Sequence, residues 1–153
     1  MTRTRVAIIA LLVAATLAAF GWKTVAAKDE TVDQLIARAD SARPEDRPAL
    51  YLEIARLKAE AADKLYNGGN AEAAKAVLQD VVAFSRKATN TSIQTGKKLK
   101  NVEIGLRKMT EKFRDVKRTL AFEDQAPIQQ TVDELEQMRT DLLSAMFGKK
   151  NSK

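Results

Sequence analysis

Residues 99–120, with the sequence LKNVEIGLRKMTEKFRDVKRTL, contain the pattern that decides the fold. Large apolar residues recur here at alternating intervals of three and four, which is the a/d spacing of a helix that buries one side. The spacing predicts a long helix from about 92 to 122 that packs in a helical core; dimerisation through this coiled-coil seam is the alternative. The seam residues are Leu99, Val102, Leu106, Met109, Phe113, Val116 and Leu120.

The chain before this helix also has helical spacing, and no segment alternates like a strand. A short helix over 31–41 is expected to lead into a turn with two prolines, where Asp46 or a neighbour caps a second helix that ends near Tyr66. Asn67-Gly68-Gly69-Asn70 then combines a glycine C-cap with an asparagine N-cap, which predicts a tight helical hairpin.

The third helix is predicted to run from 71 to about 87, because Thr89-Asn90-Thr91-Ser92 offers a break and a new cap. After the seam helix, Pro127 is well placed in the first turn of a last helix that ends at Phe147. At about 1.5 Å per residue the seam helix would be roughly 46 Å long and would outreach this last helix. The predicted fold class is therefore all-α: an antiparallel bundle of about five helices.

Alanine is concentrated in the second and third helices, with 14 between residues 37 and 88 but three between 89 and 153. Over about 58–86 the hairpin resembles a single tetratricopeptide repeat, although Lys58, Val81 and Arg86 depart from that family's pattern. The pattern does not recur, whereas arrays need at least about three repeats. The resemblance implies two closely packed antiparallel helices and, at most, protein binding. It is carried by Ala62, Leu65, Gly69, Ala74 and Leu78.

The first 27 residues have the order of a signal peptide. Arg3 and Arg5 precede the apolar or small run 6–20, and Val25-Ala26-Ala27 supplies small residues for cleavage. We predict cleavage after Ala27, a helical domain over 28–148 and a polar tail over 149–153. The alternative is an uncleaved anchor that tethers the same domain outside the membrane. Either way the localisation is exported, periplasmic or secreted.

Composition excludes much familiar catalysis, because the chain has neither cysteine nor histidine. Thiolate nucleophiles, histidine triads, disulfides and Cys/His metal sites all need those residues. An enzyme would depend on carboxylates, lysine or tyrosine. The candidate pairs, Glu53 with Asp63 and Asp133 with Glu136, have ordinary helix-surface spacing. We therefore predict no catalytic residues, no cofactor and no metal.

Charge is segregated along the chain. The net charge of +6 combines +3 for residues 1–27, −3 for residues 28–85, +8 for residues 86–122 and −2 for residues 123–153. Lys100, Arg107 and Arg114 repeat every seven residues and face away from the seam, so core partners are not expected to neutralise them. One interpretation is a solvated face that the acidic outer helices partly balance, for example through Glu103 with Arg107. Arginine can bind phosphate or carboxylate through two hydrogen bonds. We predict that this face binds an anionic partner through Lys97, Lys100, Arg107, Lys108, Arg114 and Arg118.

These observations favour an exported, non-enzymatic interaction module of the cell envelope. Its expected partner is a protein or an anionic envelope component, with peripheral membrane contact included and nucleic acid excluded, because an exported protein rarely meets nucleic acid. A periplasmic holdase-type chaperone is the first alternative and would need an accessible apolar groove. A carboxylate-dependent enzyme is the alternative from another class.

Overall fold

Five α-helices follow one another in residues 30–148, the part of the chain that the computed structural model describes. A short 3₁₀ turn, Phe122–Asp124, precedes the last of them, and these described residues contain no strand. The predicted all-α class is therefore confirmed. The helices are α1 (Val32–Ser41), α2 (Arg47–Asn67), α3 (Ala71–Thr95), α4 (Leu99–Thr119) and α5 (Gln125–Phe147).

The predicted signal peptide, its alternative as an anchor and the polar tail all lie outside the described residues. Between residues 30 and 148, no helix combines the length and the apolar character that crossing a membrane requires.

The turn between α1 and α2 is held by arginine side chains. Asp46 occupies the N-cap position of α2, but its carboxylate accepts a hydrogen bond from Arg43 at 3.1 Å and caps no backbone N–H. Asp46 therefore stands at the predicted cap position, but its side chain makes no capping hydrogen bond. Arg47 instead donates to the carbonyl oxygens of Ala42 and Asp40, so the end of α1 is tied to the start of α2.

The hairpin between α2 and α3 turns where the sequence predicts. Gly69 has φ +73°, a left-handed conformation that costs glycine little. Asn70 accepts a hydrogen bond from the Ala73 N–H at 3.3 Å and caps α3. Ala62 on α2 and Ala74 on α3 are fully buried, which agrees with the close approach that the alanine content predicts.

The third helix continues past the predicted break and ends at Thr95, so the prediction of a helix end near Lys87 is wrong. Thr89 and Ser92 are buried inside the bundle, and this packing outweighs their modest helix propensity. The chain turns at Gly96 instead, where Thr95 donates to the Thr91 carbonyl oxygen at 2.7 Å and Ser92 donates to that of Lys97. The polar residues thus close the helix about two turns later than predicted.

The seam helix is correspondingly shorter than predicted. It spans 21 residues, Leu99–Thr119, or roughly 32 Å, and its length matches that of α5. Leu106 and Phe113 are fully buried, and Leu99 and Leu120 are half-buried at its two ends. The seam is therefore core within the chain, and a dimer through it would first have to open the α4–α5 hairpin.

The two hairpins stack side by side, with α2 parallel to α4 and α3 parallel to α5. Gly105 lies directly against Leu52 at this interface, because a Cβ built there would lie 2.7 Å from a methyl carbon of Leu52. The parallel arrangement places the α3–α4 turn and the C-terminal end of α5 at the same end of the bundle. One connected core of buried residues joins all five helices.

Candidate functional site

Six of the eleven cations in residues 86–122 have partners in the fold. Arg114 pairs with Glu136 of α5, and Arg118 pairs with Asp115 at 2.8 Å. The expectation that Arg114 faces away from neutralising groups is therefore wrong, since α5 lies close enough for Glu136 to reach it. The other four partnered cations are Arg86 with Glu134, Lys87 over the Tyr51 and Phe84 rings, Lys112 with Asp63, and Lys117 with Gln129.

The remaining five cations make no ion pair with any residue of 30–148, and all are exposed. They occupy the α3–α4 turn and the first half of α4, and four of the six predicted binding residues are among them. We call this set the basic cluster: Lys97, Lys98, Lys100, Arg107 and Lys108.

Glu103 is the acid that the sequence assigns to this cluster, and it does not neutralise it. Both Nε and Nη2 of Arg139 donate to Oε1 of Glu103, at 3.1 and 2.8 Å. The predicted Glu103–Arg107 pair is therefore wrong: the packing of α5 against α4 turns Glu103 toward Arg139. Arg107 is left exposed to solvent.

Lys98 was missed by sequence reasoning, although its position just after Gly96-Lys97 was a signal. It is the one non-glycine residue of 30–148 with a left-handed backbone, at φ 59°. This conformation favours glycine or asparagine. A lysine is thus held in a strained position at the start of α4, where its side chain adds a third charge to those of Lys97 and Lys100.

Exposed apolar side chains lie at the same end of the bundle and were also missed. Phe147, the last residue of α5, is 63% exposed, and Ile93 and Leu143 are 39% and 38% exposed. Their signal was weak in sequence, because apolar residues near helix ends are ordinarily core.

The opposite end of the bundle carries charges of both signs, among them Glu72, Asp124, Lys75 and Arg118. There Tyr66 is buried beneath the α2–α3 turn, and its hydroxyl has no hydrogen-bond partner among the described residues. Burial is the main cause that raises the pKa of Tyr66 above its ordinary value of 10.0, and the negative charges of Asp124 and Glu72 raise it further.

A second surface feature is a groove of about 500 Å³ between α3 and α5. Leu78, Val82 and Pro127 form its apolar floor, and Lys75 and Glu134 stand at its sides. Phe122, in the 3₁₀ turn next to Glu123 of the groove, is 88% exposed. Sequence reasoning did not find this groove, because it depends on how the two hairpins stack.

The carboxylates proposed for an enzyme are not brought together as pairs. Glu53 binds Arg56 at 3.2 Å, Asp63 binds Lys112 at 2.9 Å, and Glu136 binds Arg114. Asp133 accepts a hydrogen bond from Gln129. Within residues 30–148 no group of three or more acidic side chains is arranged to hold a metal ion.

Comparisons with known proteins assign no family to this chain. No protein-family model matches the chain, and no match was found among curated proteins or solved structures. The resemblance of residues 58–86 to a tetratricopeptide hairpin therefore rests on the residues quoted for it.

Proposed function

We propose that this chain is an exported, non-enzymatic helical protein of the cell envelope that docks an anionic partner through the basic cluster. The observation that carries the proposal is the grouping of five exposed cations without ion-pair partners in the described chain. Ordinary surface lysines and arginines on this fold, such as Lys112 and Arg114, find acids on neighbouring helices. Export is supported by Arg3 and Arg5 ahead of the apolar run 6–20.

The pairing of Glu103 with Arg139 strengthens this proposal. An acid within one turn of Arg107 would compete with an external anion. Of the two such acids, Glu103 is bound by Arg139, whereas Glu111, four residues after Arg107, is exposed and makes no ion pair within residues 30–148. The cluster is thus available to phosphate or carboxylate groups of a partner, and Arg107 can offer two parallel donors to either.

Binding to polyglutamate, a soluble anionic polymer, tests the proposal in the form of the protein recovered from cells. Replacing Lys100 and Arg107 with glutamine should weaken binding and flatten its salt dependence. Arg114→Gln is the matched control, because Arg114 lies in the same row but is paired with Glu136; it should bind nearly as well as the native chain. Equal loss in both variants would contradict the proposal.

Export is tested separately. The intact mass of the protein recovered from the envelope fraction should correspond to a chain that begins at Lys28. Crosslinking in intact cells would then identify what is attached near the basic cluster.

A holdase-type chaperone is the second candidate, supported by the α3–α5 groove and by Phe122 beside it. If this groove holds unfolded segments, the protein should slow aggregation of a heat-denatured client, and Phe122→Ser should abolish that protection. The substitution leaves the basic cluster intact, so polyglutamate binding serves as its control.

A further inference from the structure

We infer that the end of the bundle formed by the α3–α4 turn and the C-terminal turns of α5 docks on a membrane surface that contains anionic phospholipids. This inference rests on the proposed function and names the partner of the basic cluster. It is carried by the presence of cations and exposed apolar side chains at one end of the molecule.

The register of the helices brings the two kinds of side chain together. The Arg139–Glu103 pair aligns the second half of α5 with the first half of α4, and the antiparallel course of these helices then brings Phe147 level with the α3–α4 turn. Ile93 lies one helical turn before Gly96. The apolar set, Ile93, Leu143 and Phe147, therefore lies at the same end as Lys97, Lys98 and Lys100.

Lipid accounts for this combination better than a soluble polymer does. Lysine and arginine bind headgroup phosphates, while phenylalanine and leucine enter the boundary between headgroups and acyl chains. An acidic protein or polysaccharide would use the cations but would leave Phe147, 63% exposed, in water.

Charge at the two ends supports one orientation. Among residues 90–108 the sole acid is Glu103, which Arg139 binds, and on the last turns of α5 Asp141 accepts a hydrogen bond from Gln137. The α1–α2 turn at this end carries Glu45 and Asp46, and both pair with Arg43. The opposite end has charges of both signs, Glu72, Glu123 and Asp124 with Lys75, Lys117 and Arg118. Lys97, Lys98 and Lys100, which make no ion pair within residues 30–148, therefore favour a bundle that stands on the membrane through the α3–α4 turn.

Vesicle cosedimentation tests the inference, using vesicles of equal parts phosphatidylglycerol and phosphatidylcholine and vesicles of phosphatidylcholine alone. Native protein should bind the anionic vesicles, and added salt should weaken the binding. All chains compared are purified with the same N-terminus, so residues before Lys28 contribute equally when they are present.

Two variants separate charge from apolar contact. Phe147→Ser combined with Leu143→Ser should weaken vesicle binding roughly tenfold or more while polyglutamate binding stays unchanged. Lys98→Gly with Lys97→Gln should weaken binding to both probes; glycine suits the left-handed backbone of residue 98, so the melting temperature should hold. Phe122→Ser, at the opposite end, is the control and should leave vesicle binding unchanged.

The outcomes distinguish the two proposals. If the Phe147/Leu143 variant binds vesicles as the native chain does, or if the native chain binds polyglutamate but not vesicles, the lipid inference is overturned and the proposed function stands. If the native chain binds neither probe, both are overturned. Phe147→Ser alone, at an exposed helix end, keeps the test valid should the double variant fold poorly.

Discussion

Arg139 donates two hydrogen bonds to one carboxylate oxygen of Glu103, at 3.1 and 2.8 Å, and so joins α5 to α4. This contact has two effects. It fixes the register of the second hairpin, and it withdraws from the basic cluster the one acid that lies within it.

Glu103→Gln is therefore expected to change stability and binding in opposite directions. The free energy of unfolding should fall by about 1 kcal/mol, because the Glu103 side chain is largely buried and Arg139 loses its charged partner. Polyglutamate binding should strengthen, because Arg139 loses its carboxylate partner and becomes a further unpaired cation beside α4. Asp115→Asn, in the exposed Arg118 pair, should cost less than about 0.5 kcal/mol. Urea titrations measure the first effect, and weaker polymer binding would contradict the second.

Gly105→Ala should destabilise the stacking of the hairpins. The added methyl would lie within 2.8 Å of two Leu52 methyl carbons, and overpacking typically costs about 1–3 kcal/mol, more than the roughly 1 kcal/mol that alanine gains in a helix. When Leu52 is already alanine, the same substitution should become stabilising. A double-mutant cycle measures this change of sign, and destabilisation in both backgrounds would show that Leu52 is not the obstacle.

Thr89→Val should stabilise the protein by about 1 kcal/mol. The Thr89 hydroxyl is buried without a hydrogen-bond partner among residues 30–148, and valine has a similar shape without that desolvation cost. Thr110 is the matched control, because it is equally buried but donates to the Leu106 carbonyl oxygen at 3.0 Å. Thr110→Val should destabilise by about 1 kcal/mol. Thermal melts of the two variants should therefore shift in opposite directions.

In an alkaline titration, both tyrosines should ionise at a higher pH than a free tyrosine does. The chain has two, Tyr51 and Tyr66, and burial is the main cause that raises the pKa of each above 10.0. The folded state then binds these protons more tightly than the unfolded state, so stability is complete below pH 10.0 and declines as the pH rises through and beyond that value.

Asp40→Asn separates the two tyrosines. The hydrogen bond from Tyr51 to Asp40 and the charge of that carboxylate both raise the pKa of Tyr51, so the variant should ionise Tyr51 earlier and leave Tyr66 unchanged. Tyrosinate absorbance follows both transitions. If the pKa of Tyr66 also shifts in the variant, the substitution has changed the fold, and the change at Tyr51 cannot be assigned to Asp40.

The sequence alone predicts most of the fold, because the spacing in the seam of α4 and the turn at Asn67–Asn70 depend on residues that are neighbours in the chain. Phe113 and Leu106 are core, and Gly69 turns the first hairpin, as spacing and turn chemistry indicate. The end of α3 was missed for a tertiary reason. Burial of Thr89 and Ser92 by other helices is invisible to a pattern that treats them as local helix breakers.

The candidate site was predicted in part. The concentration of cations in residues 86–122 is a sequence property, but which of them stay unpaired depends on which acid each neighbouring helix presents. Glu136 pairs with Arg114, and Glu103 pairs with Arg139 and not with Arg107. Neither pairing follows from intervals along one helix, because both cross from α4 to α5.

The side-by-side stacking of the two hairpins has a consequence for the order of folding. Within each hairpin the helices meet across a short turn, whereas the Leu52–Gly105 contact joins residues about fifty positions apart, so closing it costs more chain entropy. We expect each hairpin to form early and the interface at Gly105 to close last. A low φ-value for Leu52→Ala together with a higher φ-value for Ala62→Gly would show that the first hairpin forms before the interface at Gly105 closes.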